Sequence, residues 1–158
     1  MTVTDLSLEE RADGLRAWAK GLYALEAAVR LMIEHGTWLR RGAPAMQMSD
    51  TEYDGLLVSV DWKALSDMGG PASGSERRIL DIICSLGAGL GVDLSDAVSS
   101  LDRTNLALVL AALSHANGSH QHKDMSWFHD AIANGGTMVR PDPNEPYLPP
   151  VFAWPASS

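Results

Sequence analysis

The sequence predicts an all-α domain of about five helices packed round an apolar central helix at residues 103–116, with an extended proline-rich C-terminal arm. Three observations carry this. Serine and aspartate residues stand at helix-capping distance ahead of apolar stretches of helical period. Residues 106–113 are all apolar, so that helix is apolar on every side, as a buried central helix is. Six of the eight prolines fall within residues 141–158, which excludes a regular helix there and predicts a polyproline-like arm. The expected division is a helical domain over residues 1–140 and the arm over 141–158.

The first helix opens at Ser7, where Ser7 and Glu10 have the capping-box spacing. Leu8, Leu15, Leu22 and Val29 fall seven apart, interleaved with Arg11, Trp18, Leu25 and Met32, so one apolar seam runs along the helix and only Arg11 interrupts it. With Gly36 as the stop after His35, the pattern predicts one straight helix of some 28 residues, about 42 Å long. Residues 40–48 lack a sustained period and read as loop. Residues 55–60 fit a short strand or a helix end equally, because periodicity does not separate short apolar runs. Asp61 is placed to cap a short helix over 62–68.

Ser73 and Glu76 repeat the capping box before Ile79, Leu80, Ile82, Ile83 and Leu86, with Gly87 as the end. Asp93 opens a short helix carrying Leu94, Val98 and Leu101, and Asp102 caps the apolar helix that follows. That consecutive pair is not a DNA-reading helix-turn-helix: a recognition helix presents polar side chains to base edges, and this one offers leucine, valine and alanine. From Asp124 a shorter helix with Trp127, Phe128 and Ile132 ends at Asn134. The arm then carries Tyr147, Leu148, Val151, Phe152 and Trp154, aromatic content that a solvated tail does not need. The arm should therefore dock along its own domain, across a second subunit or in a partner's groove.

A net charge of −8 and a pI near 4.9 oppose binding to phosphate backbones and anionic lipid. No apolar run approaches the roughly 20 residues of a membrane-spanning helix. Residues 1–10 lack the basic and apolar regions of a secretory signal, and a single cysteine forms no internal disulfide, so a reducing bacterial cytoplasm is the expected location. Cys84 lies among Ile82, Ile83 and Leu86 and reads as a buried, inert thiol. The glycine-rich stretches lack the lysine and hydroxyl of a phosphate-binding loop, and no nucleophile elbow surrounds Ser114 or Ser119.

Two functional readings follow. The leading one is a small non-enzymatic protein that works through protein contacts and self-associates, with Tyr147, Phe152 and Trp154 as the partner-binding residues. The alternative is a metal-binding protein or metal-dependent enzyme. Four of the five histidines lie within fifteen residues, and His115, His120 and His122 with Asp124 offer the imidazole and carboxylate donors that zinc takes, without the spacing of an established zinc motif.

Overall fold

A computed structural model describes residues 1–123, 126, 132–135, 144 and 146–156. The chain is mostly helical, with a two-stranded antiparallel sheet inserted in its middle. In chain order the elements are α1 (Leu8–Ala19), α2 (Tyr23–His35), α3 (Thr37–Arg41), β1 (Met46–Thr51), β2 (Gly55–Val60), α4 (Trp62–Asp67), α5 (Gly74–Ala88), α6 (Leu94–Ser99) and α7 (Arg103–Ala116). The caps act where the sequence places them. Ser7 and Glu10 exchange hydrogen bonds at the start of α1 (3.1 and 2.9 Å), Ser73 and Glu76 do so at α5, and Asp61, Asp93 and Asp102 accept from Ala64, Asp96 and Asn105 amides.

The expected straight helix from Ser7 to His35 is instead two helices with a sharp turn between them. Lys20 is extended, and Gly21 has φ +93°, a conformation that L side chains rarely adopt. The Gly21 amide donates to Glu26 Oε1 at 2.8 Å, so the turn is tied to the first coil of α2. The apolar seam continues through the turn, which is why periodicity alone reads a single helix. Arg11 does not merely interrupt that seam. It is 5% exposed, and its guanidinium donates to the carbonyls of Leu39 (2.8 Å), Val3 (3.0 Å) and Leu6 (3.4 Å). It thereby pins the N-terminal turn and α3 to α1.

The sheet corrects the all-helical expectation. Residues 55–60 form a strand, and residues 46–51, of which 46–48 are expected as loop, form its partner, with Met46 opposite Val60 and Thr51 opposite Gly55. Glu52, Tyr53 and Asp54 make the reversal, and Gly55, which opens β2, has φ +69°. The strand β2 lies against α1 and comes close at Gly14, where a Cβ would stand 2.6 Å from Val58 Cγ2.

The centre of the fold also differs from expectation. It is α2, which packs against α1, α5 and α7 and buries Ala27, Ala28, Val29, Leu31 and Met32. In α7, Leu108, Val109, Ala111 and Ala112 are buried while Ala107 and Leu113 face out, so the apolar helix covers one side of α2. Trp38 is fully buried and donates from its indole to the Glu76 carbonyl at 2.9 Å. Cys84 is buried, and burial pushes its thiol up to about 12. Trp127 and Phe128 lie outside the described residues.

His35, at the end of α2, has a pKa below its ordinary 6.5, because burial disfavours the imidazolium more than Glu76 and Asp102 favour it. As pH falls through about 6.5 the unfolded chain takes up this proton before the folded one, so stability is full above that pH and is lost on acidification. The urea midpoint should therefore be lower at pH 5.5 than at pH 7.5, and His35→Leu should reduce the difference. An equal or higher midpoint at pH 5.5 would contradict the assignment.

Candidate metal centre

Three side chains from distant parts of the chain converge where α2, the end of α7 and the following turn meet. Glu26 comes from the first coils of α2, His115 from the last turn of α7, and His120 from the 3-10 turn Ser119–Gln121. One ligand atom from each lies within 4.8 Å of the other two. Glu26 Oε2 and His115 Nε2 are 2.8 Å apart, and the two imidazoles stack with centroids 4.3 Å apart at 18°. Tyr23, three residues before Glu26, lies edge-on to both rings at 6.3 and 5.1 Å.

Local sequence explains each placement. The turn at Gly21 directs Glu26: Oε1 is held by the Gly21 amide, which leaves Oε2 for His115. Gly118 has φ +76°, ends the α7 region and turns the chain back so that His120 reaches His115. A Cβ on Gly118 would stand 2.9 Å from the Tyr23 ring, so the reversal also needs glycine for space.

The electrostatics favour metal-competent protonation states. Burial opposes the Glu26 charge, yet the Gly21 amide and His115 outweigh it and hold the carboxyl below its ordinary value. Burial, with neighbouring His115, pushes His120 below the usual histidine range. At neutral pH the site therefore offers a carboxylate and a neutral imidazole at His120. His120 Nδ1 is buried and makes no hydrogen bond to protein atoms. Tetrahedral zinc, with bonds of about 2.0–2.1 Å, holds its ligand atoms roughly 3.3 Å apart. The separations here, from 2.8 to within 4.8 Å, bracket that spacing.

His115 and His120 are thus brought together, whereas His122 is exposed and contributes no atom to the group. Asp124 lies outside the described residues. Glu26 is the member of the group that sequence reading missed: it stands 89 residues from His115 and carries no local motif. Its one signal is indirect, a carboxylate five residues after a glycine that sits inside the helical pattern.

The described part of the arm docks on its own domain, beside this group. The Leu148 amide donates to the His122 carbonyl at 2.7 Å, and the Phe152 and Val151 amides donate to Ser114 and Ser119 hydroxyls at 3.1 and 3.4 Å. These two buried hydroxyls also bond each other at 2.8 Å. Trp154 is half-buried, lies 6.4 Å from the His115 ring and carries the Arg30 guanidinium 4.6 Å from its own ring centre. Of the three expected partner-binding residues, Tyr147 and Phe152 are about half exposed (55% and 49%), while Trp154 faces the domain.

Two cavities border the group. One, of 330 Å³, lies between the end of α1 and α2 and reaches Glu26 and His115; the other, of 170 Å³, lies under the arm beside His115, His120 and Trp154. Among the described residues no helix is long and apolar enough to cross a membrane. Comparison with protein-family models, curated proteins and solved structures returns no match.

Proposed function

We propose that the protein binds a divalent metal, zinc by donor chemistry, through Glu26, His115 and His120. The supporting observation is the convergence of one carboxylate and two imidazoles, their ligand atoms within 4.8 Å, beside a cavity. Two histidines and one glutamate make a set that leaves the fourth tetrahedral position to water or a bound molecule, the arrangement of zinc sites that act on ligands. The Gly21 amide supplies the outer support that orients a coordinating carboxylate. Cobalt(II) added to chelator-treated protein tests the reading. One equivalent should give the visible absorption of low-coordinate cobalt, and Glu26→Gln or His120→Ala should weaken binding at least about tenfold. Octahedral, weakly absorbing cobalt in the wild-type chain would overturn it.

A second reading, action through protein contacts and self-association, draws support from the exposed apolar side chains of the arm, Tyr147, Leu148, Val151 and Phe152. Sedimentation equilibrium decides it: a concentration-dependent dimer lost on Phe152→Ser supports it, and a monomer at all concentrations with no retained partner refutes it.

A further inference from the structure

The turn at Gly21 has a consequence beyond the metal group. Arg16 and Ala19 share one face at the end of α1, with Lys20 just past its last turn, and Glu26, Val29, Arg30 and Glu34 share one face of α2. In a straight helix Arg16 and Glu34 would be about 27 Å apart along the axis. Because the helix breaks, both faces line the same 330 Å³ cavity, with His115 of α7 as its third wall.

Ala19 and Val29 lie beneath the floor of this cavity and are fully buried, so the apolar surface of the floor is carried by the side-chain stems of Arg16, Lys20 and Arg30. Its polar groups are unusual for a chain of net charge −8: three cations, Arg16, Lys20 and Arg30, face two carboxylates, Glu26 and Glu34. Glu26 is already engaged by the Gly21 amide and His115. Glu34 reaches Arg30 only at 3.6 Å, beyond hydrogen-bond distance. Arg16 bonds Asp13 at 2.7 Å through one nitrogen, and Lys20 has no carboxylate partner among the described residues. Trp154 stacks on the Arg30 guanidinium and so restricts its orientation.

We infer that this cavity binds a small organic monocarboxylate, its apolar body against the stems of Arg16, Lys20 and Arg30 and its carboxylate between Lys20 and Arg30. With Arg16 paired to Asp13 and Glu26 held by the Gly21 amide and His115, Lys20 and the loosely paired Arg30 are the cations left for a single negative charge. A phosphate dianion would meet Glu26 and Glu34 with a second charge and leave the apolar floor uncovered. The site shares Glu26 and His115 with the metal group and does not depend on it: the cations stand on α1 and α2 whether or not a metal is held.

Benzoate, the isosteric neutral benzamide and inorganic phosphate, titrated in turn into the full chain and followed by amide chemical shifts, test the inference. On metal-free protein, benzoate should saturate at least tenfold more tightly than benzamide or phosphate, with the largest shifts at Ala19, Lys20 and Val29. Lys20→Met, at an exposed position where folding is unaffected, should weaken benzoate at least tenfold and leave benzamide unchanged. Benzoate no tighter than benzamide, phosphate as tight as benzoate, shifts centred elsewhere, or an unaltered Lys20→Met variant would each overturn it. Repeating the titration after zinc addition keeps the two questions apart, because failure of zinc to bind leaves the metal-free result standing.

Discussion

Replacing Arg11 by methionine is expected to destabilise the fold by about 3 kcal/mol, a drop of roughly 10 °C in Tm for a domain of this size. The side chain is 5% exposed and satisfies carbonyls from two otherwise separate segments, Val3 and Leu6 on one side and Leu39 on the other. Methionine matches the apolar stem but removes the guanidinium donors; the Val3 carbonyl keeps the Leu6 amide at 3.3 Å, whereas the Leu39 and Leu6 carbonyls lose the donor that Arg11 supplies, and each such loss costs on the order of 1–3 kcal/mol. Arg11→Lys, which keeps the charge and loses the fork, should fall between the two. Urea denaturation followed by far-UV circular dichroism measures all three; a methionine variant as stable as the wild type would show that the carbonyls find other partners.

Gly14→Ala is expected to cost about 2 kcal/mol, against the usual direction of such a change. Alanine inside a helix is ordinarily favoured over glycine by up to about 1 kcal/mol. At Gly14, however, the new methyl would stand 2.6 Å from Val58 Cγ2 and 3.2 Å from the Val58 backbone nitrogen, so α1 and β2 must separate. Gly74, in the first turn of α5, meets nothing within 4 Å and is the matched control. Gly74→Ala should be neutral or slightly stabilising. Equal effects from the two substitutions would contradict close contact between α1 and β2.

Both positions show where the sequence is informative and where it is not. Capping is local, so Ser7, Asp61, Ser73, Asp93 and Asp102 could be read directly, and each caps the helix expected of it. The break at Gly21 was hidden because Leu15, Leu22 and Val29 keep their spacing across it, while a single positive-φ glycine decides the geometry. Asp54-Gly55 is a strong hairpin signal that the short apolar run beside it obscured. Apolarity on every side of α7 marks a helix with two buried flanks no better than one with Leu113 facing out; which helix is central depends on packing, and α2 takes that place.

The site was legible in half. The density of histidines points to the end of α7 where His115 and His120 meet, because imidazoles that close in sequence stay close in space. His120 meets His115 through the Gly118 reversal, whereas His122, two residues on, points out to solvent. Glu26 joins them only through the packing of α2 on α7, a long-range contact with no spacing rule. Arg11 and Glu26 share this history: each is a charged residue on a mostly apolar helix, and each is explained by partners far along the chain.

The most direct measurement is zinc stoichiometry by elemental analysis after dialysis against a zinc buffer, on the wild-type chain, Glu26→Gln and His122→Ala, each checked for folding. One equivalent in the wild type and in His122→Ala, with loss in Glu26→Gln, is the result expected of a centre built from Glu26, His115 and His120. No zinc in the wild type, or zinc kept in Glu26→Gln and lost in His122→Ala, would contradict it.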